Sequence, residues 1–260
     1  MKATIACLLL LAATTMHAQS TSEQARRHYE HNDFEEALAV YGQIEPATMT
    51  TTDLVNYSTA AYIKGRYQQS LDIATLGLRA DPANTALVRL AFYDNTELGR
   101  HAAALTYADA LFAATDSTRQ AYFDYTYLGR LLVARANELT DSADRRRMLV
   151  RADSVYAVMP SRFAQTTEHA TLMRARIHAQ LDSVAHQGLA TPFYEQLADL
   201  IDNKTALSDD DRQQLVESYY YLIAYYHNHA FDVAKASYYA RRLLLIDPDN
   251  DVARQCLSHG

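Results

Sequence analysis

Glycine and proline are scarce in this sequence, at seven and five among 260 residues, and tryptophan is missing altogether. So few turn formers argue against a many-stranded β protein, while a hydrophobic share of 49% supplies cores for helices. Cysteine occurs twice, at Cys7 and Cys256. Cys7 falls in the N-terminal leader described below, which leaves Cys256 alone. Neither an intramolecular disulfide nor a cysteine-based zinc site can then form. Basic residues are outnumbered, with 24 Lys and Arg against 31 Asp and Glu. A chain without a basic footprint is not expected to bind nucleic acid. Beyond the leader, no apolar run reaches the ~20 residues of a transmembrane helix, so no direct membrane insertion is expected. The sequence also lacks a GxSxG turn, an HExxH helix, a P-loop and a Gly-rich dinucleotide turn. The expectation is therefore a protein without catalytic residues, metal or cofactor.

The first residues carry export information. Lys2 gives a positive start, Ala3 to Ala13 form a short apolar run, and Thr14 to Ala18 lead to small and polar residues. That run is too short to span a bilayer and reads as a signal peptide, residues 1–18, cut before Gln19. Cys7 lies too early in it to serve as a lipid anchor. Removing the leader takes away only Lys2, so the mature chain is more acidic still. In a Gram-negative cell the expected location is the periplasm, with secretion or outer-membrane association through a partner as extensions.

The mature chain repeats at about 34 residues. Gly65 recurs as Gly99, Tyr67 as His101, Ser70 as Ala104 and Ala74 as Ala108, each 34 positions on. Upstream, Asn32 and Phe34 stand 33 positions before Gly65 and Tyr67. Each unit reads as two helices. The first carries apolar residues at i, i+3 and i+7, such as Leu54, Tyr57 and Ala61. A turn with Gly or Asn follows, since these residues tolerate positive φ. The second helix starts near Phe34, Tyr67 or His101 and carries small residues such as Ser70, Ala74 and Gly77, which let paired helices approach closely. Asp81-Pro82 and Asp247-Pro248 end second helices, because proline cannot continue them. Pro160 is read the same way. A loop over 182–191 interrupts the fifth unit, and Thr191-Pro192 reads as cap and first-turn proline of the helix beyond it. Ser208 followed by three aspartates reads as another helix start.

Tyr57, Gly65, Tyr67 and Asp81-Pro82 stand at the spacing of the tetratricopeptide repeat, and residues 51–84 resemble that family best. The resemblance extends over nearly all of the mature chain. It departs from the family in the missing first-helix tryptophan, and in that helix's small residue being glycine only at Gly129. It implies an all-α solenoid of antiparallel helix pairs, a right-handed superhelix of about six repeats. The expected domain is residues 19–260, with units at about 19–50, 51–84, 85–118, 119–160, 161–202 and 203–248 and a C-terminal capping helix. Stacking is obligatory, since one pair cannot bury its own apolar face.

In that family the first helices line a concave groove. Carried over by position, the groove falls on Arg26 and Tyr29, on Thr59, Tyr62 and Ile63, on Arg89 and Tyr93, and on Phe123 and Arg130. Tyrosine and arginine often dominate interfaces. The expected function is a non-catalytic scaffold or adaptor in the bacterial cell envelope that binds another protein or peptide. The alternative is a small-ligand protein that holds a peptide or glycan in the same groove. The carboxylate-binding pattern of some family members is not expected, because its positions hold Ser22, Arg26, Asn56, Ala86 and Leu90, of which only Asn56 fits. His28 and His31 with Glu35, and His227 with His229, lack a third well-spaced ligand and read as surface histidines. Arg145, Arg146 and Arg147 read as a solvated face. Tyrosine is abundant, at 19 residues, and densest over 219–226. A helix aromatic on several faces is expected to pack between neighbours, with its hydroxyls reaching the surface.

Overall fold

The computed structural model describes residues 21–258, and the leader lies outside the described residues. Those residues form α-helices joined by short turns, with no strand among them. The helices run in pairs. They are α1 (21–30) with α2 (Phe34–Tyr41), α3 (Thr51–Ile63) with α4 (Tyr67–Ala80), and α5 (Thr85–Glu97) with α6 (His101–Ala114). Then come α7 (Tyr122–Glu138) with α8 (Ser142–Arg162), α9 (Thr167–Leu181) with α10 (Thr191–Asp202), and α11 (Asp209–Asn228) with α12 (Val233–Ile246). A last helix, α13 (Asp251–Ser258), packs on α12. No described helix is long and apolar enough to cross a membrane. Internal contacts divide the chain within α7 into one compact unit ending at Tyr127 and another beginning at Leu128.

In the first unit the period comes from the turn between paired helices. Asn32, Gly65 and Gly99 sit in the left-handed region at φ 64°, 69° and 69°. At each turn the next residue's N–H reaches back five residues, as Arg66 N–H does to Ala61 C=O at 2.8 Å. The left-handed residue itself bonds three back, as Gly65 N–H does to Tyr62 C=O at 2.9 Å. This pair of hydrogen bonds satisfies carbonyls that a helix end otherwise leaves open. Small residues then set how closely helices pack. A Cβ on Gly77 would lie 2.5 Å from Leu87 Cδ1, so any larger residue there would have to push the buried Leu87 side chain aside where α4 meets α5. Helix starts are capped by side chains: Thr50 and Asp53 form a reciprocal box on α3, and Asn84 Oδ1 accepts from Leu87 N–H on α5. The core of α1 to α3 gathers on Leu38, Tyr41, Leu54 and Tyr57, with the two tyrosine rings stacked at 5.3 Å.

The second unit is less regular. Helix α8 runs 21 residues and contains Pro160, whereas the sequence reads that proline as its end. Proline forfeits its own N–H bond and crowds the carbonyl four residues back, but it leaves the donors beyond it in place. So near a C-terminus one further turn survives, and Phe163 N–H then caps Met159 C=O at 2.8 Å. The start of α10 also differs from expectation. Its cap is Ala190, with helical backbone, and Thr191 is the first helical residue with a buried hydroxyl that caps nothing. A turn from Thr191 N–H to Gly188 C=O brings the chain in already coiled, which leaves no extended residue for a side-chain cap. The preceding loop is organised by Asp182, whose buried carboxylate accepts from Gln187 N–H at 2.9 Å. Gly129 admits the ring of Tyr156, which a Cβ would meet at 2.4 Å. The tyrosine-rich helix α11 packs as its pattern expects: Tyr219 and Tyr226 are buried in a core with Leu197, Ile201, Leu222 and Leu243. Their hydroxyls donate to Asp202 and Glu195 on α10.

Candidate partner interface

The first helices α1, α3, α5 and α7 carry the nine residues that the repeat pattern assigns to the groove. In the first unit several of these hold the helices to one another. Arg26 on α1 reaches Asp53 on α3 through two bonds, Nε to Oδ1 at 2.7 Å and Nη2 to Oδ2 at 3.0 Å. Asp53 is 1% exposed and also caps its own helix through Thr50. Burial pushes its carboxyl up, but the bonds from Arg26 and Thr50 outweigh this and hold it below the usual range. Arg89 on α5 repeats the arrangement with Asp124, which is fully buried near the start of α7 and accepts from Ala121 N–H at 2.7 Å. Tyr93 is buried, and its hydroxyl donates to the same Asp124 at 2.7 Å. Desolvation, reinforced by that carboxylate, pushes the Tyr93 phenol far up.

A tyrosine ladder lies beside these ion pairs. Tyr62, Tyr93 and Tyr127 come from α3, α5 and α7, with ring centroids 5.8 and 4.2 Å apart. The Tyr62 and Tyr127 hydroxyls bond to each other, and Tyr127 donates to Glu97 at 2.7 Å. The structure thus brings Tyr62, Arg89 and Tyr93 into one network and holds Arg26 in a separate pair. Tyr29 packs edge-on against Phe34 at 5.7 Å, and the Thr59 hydroxyl bonds back to Val55 C=O. Ile63 and Phe123 are about half exposed, and Arg130 is exposed on the part of α7 in the second unit. The carboxylates Asp53, Asp124 and Glu97 were absent from the set assigned by repeat position. The capping box Thr50-x-x-Asp53 was their one readable signal, and it speaks of a helix start rather than of a guanidinium partner.

In the second unit the first helices α9 and α11 enclose an open polar cleft of about 360 Å³. Helix α9 contributes His169, Leu172 and Arg176, and α11 contributes Asp210, Gln214 and Glu217. Both sets follow the spacing of one helical face. Arg176 grips Glu217 with two bonds of 2.9 and 2.6 Å, and Tyr194 from α10 donates to Glu217 at 3.0 Å. These partners outweigh burial and keep the Glu217 carboxyl below its ordinary range. Desolvation and the Arg176 charge lower the basicity of His169, so its imidazole is neutral at pH 7. Glu168 pairs with Lys204 at 2.6 Å. Gln214 is 8% exposed; its Nε2 donates to Asp210 Oδ2 at 2.7 Å, while its buried Oε1 accepts from nothing. Among the described residues, no group of three or more His, Cys, Asp or Glu is placed to hold a metal.

No protein-family model matches the sequence, and no curated protein does either. Solved structures do. The chain is similar to the C-terminal part of a TPR repeat-containing protein from Cytophaga hutchinsonii, with 20% identity, 92% of this chain and 87% of that one covered, and a TM-score of 0.68. It is also similar to PilF of Pseudomonas aeruginosa, with 12% identity, 95% and 100% coverage, and a TM-score of 0.50. At these identities the likeness is one of architecture, and together with the helix pairs it settles the architecture: the chain has the tetratricopeptide-repeat fold, an all-α solenoid of antiparallel helix pairs.

Proposed function

We propose that this protein is a non-catalytic scaffold or adaptor of the bacterial cell envelope that holds a protein partner against the faces of its first helices. The observation that carries the reading is the cleft between α9 and α11, whose wall keeps the carbonyl of Gln214 buried and without a donor. An open concave surface between successive first helices is where a repeat of this fold offers a partner room to dock. The exposed Ile63 and Phe123 on α3 and α7 add apolar contact area in the first unit. The leader read at residues 1–18 supports export, and with it a role outside the cytoplasm.

Cross-linking in intact cells, followed by mass spectrometry, tests both parts. The expected result is a recurring partner whose cross-links fall on first helices, and a mature N-terminus at Gln19. Cross-links confined to second helices, or no reproducible partner, would remove the scaffold reading. A mature chain that keeps Met1 would remove the envelope.

A further inference from the structure

We propose that the outer face of α12 pairs with the same face of a second copy of this chain, the two helices running antiparallel about a two-fold axis. Ala234, Tyr238, Arg241 and Leu245 recur at i, i+4, i+7 and i+11, so they form one stripe along the helix. Ala236, Ala240 and Leu243 lie on the opposite side and are buried in the core. The outer stripe is open. Tyr238 is 51% exposed and Leu245 80%, and Ala234 and Arg241 are exposed with them. Apolar side chains exposed in a row, rather than singly, mark a contact surface. The Tyr239 ring braces Tyr238 edge-on, with centroids 5.0 Å apart. Arg241 has no acidic partner among the described residues. The cations flanking the stripe, Lys235 and Arg242, are neutralised by Glu195 and Asp202.

Reversed, this pattern is its own complement. Two-fold symmetry makes a contact reciprocal, so residue i of one copy meets residue j of the other, and j meets i. With the axis passing between Tyr238 and Arg241, each Tyr238 ring meets the guanidinium of Arg241 on the other copy. Each Leu245 then meets Ala234 on the other copy. The first contact sets a cation on an aromatic face, an attraction that strengthens as water leaves. The second sets a large side chain against a small one, as interdigitating helices require at axis separations of about 8–10 Å. A parallel pair would instead stack Arg241 on Arg241. An unrelated helix would have to supply both complements, whereas a second copy supplies them by symmetry. The contact uses a second helix and leaves the first helices free, so the scaffold reading does not depend on it. One helix per copy makes a small interface, and the dimer has a Kd of about 10–100 µM.

Sedimentation equilibrium of the mature chain, over about a hundredfold range of concentration around that Kd, tests the pairing. The expected result is a monomer–dimer equilibrium. Leu245→Glu and Arg241→Glu are each expected to weaken it about tenfold or more. Both positions are exposed, and circular dichroism is expected to show the same thermal unfolding for both variants as for the parent. Orientation is read from cysteine pairing under mild oxidation. Ala234→Cys and Leu245→Cys chains should form an interchain disulfide faster when mixed than either does alone. A chain that stays monomeric throughout, a dimer indifferent to both glutamate variants, or Leu245→Cys joining itself fastest would overturn the inference. Such a failure would leave partner cross-links on the first helices, and with them the scaffold reading, untouched.

Discussion

Single residues carry two kinds of stored cost in this chain. The first is backbone conformation. A Cβ at Gly65 would touch nothing within 4 Å, so the cost of Gly65→Ala is the left-handed φ of 69° alone, about 1 kcal/mol. At the equivalent turn Asn32 already stands at φ 64°, and Asn32→Gly should change stability by only a few tenths of a kcal/mol. Phe231 stands two residues before α12, as Gly65 does before α4, and holds φ 54° with its side chain 79% exposed. Phe231→Gly should therefore stabilise the second unit by about 1 kcal/mol, read from urea melts of the three variants. The second cost is a buried charge. Asp94 is fully buried on α5, neither of its oxygens has a good hydrogen-bond partner, and desolvation pushes its pKa up to about 7 against the pull of the Ser70 hydroxyl. In the unfolded chain an aspartate titrates near about 4. Between the two values the native state keeps a proton that the unfolded state has lost, so stability falls as pH rises from about 4 to about 7. Asp94→Asn should raise stability by about 1–3 kcal/mol at pH 8 and make little difference at pH 4. A variant effect that stays flat over this range would show that Asp94 does not titrate there.

At the scale of elements, the recurring device is a carboxylate at the third helical position that caps its own helix and also binds a guanidinium from the preceding first helix. Asp53 does this for Arg26, and Asp124 for Arg89. One side chain thereby sets both where a helix starts and how it meets its neighbour. Removing one partner of a buried pair leaves an uncompensated charge and costs about 3–5 kcal/mol, more than exposed pairs contribute. Arg89→Met should therefore destabilise the first unit strongly, and Arg89→Met with Asp124→Leu should recover part of the loss. An additive double-variant effect in chemical denaturation would contradict the coupling. This device also explains how much was legible from sequence. The helix pairs were readable, because turn residues such as Gly65 and Gly99 and small residues such as Ala74 follow a chain-local period. The contacts of the residues assigned to the groove were less legible. Arg26 and Arg89 look like groove arginines by position, yet their acceptors lie 27 and 35 residues away, at no fixed interval. Gln214 carried no sequence signal at all, since the burial of its carbonyl exists only in the folded chain. Pro160 and Thr191 mislead because local rules for proline and caps assume an extended approach that the chain does not make there.

On the scale of the molecule, stability is spread along the chain rather than gathered in one centre. Repeats touch mainly their neighbours, so opening energies are nearest-neighbour sums and need not be equal everywhere. One core in the first unit joins α1, α2 and α3 through residues such as Leu38, Tyr41 and Tyr57. In the second unit, one core runs from Leu172 on α9 to Cys256 on α13. Tyr219 sits centrally in that second core. It is 1% exposed, its hydroxyl donates to Asp202, and Arg242 donates to it at 3.2 Å while also pairing with Asp202. It therefore links α10, α11 and α12 through both packing and polar bonds. Tyr219→Ala removes a large buried ring and orphans part of that network, at a cost of about 3–5 kcal/mol. Hydrogen exchange should locate the loss. Amides of α10, α11 and α12 are expected to lose most of their protection, while those of α2 and α3 keep theirs, because no residue of the first core rests on Tyr219. A uniform drop from α2 to α13 would show instead that all repeats open together. In the local-opening case, then, Tyr219→Ala should leave the first-unit pairs at Asp53 and Asp124 intact.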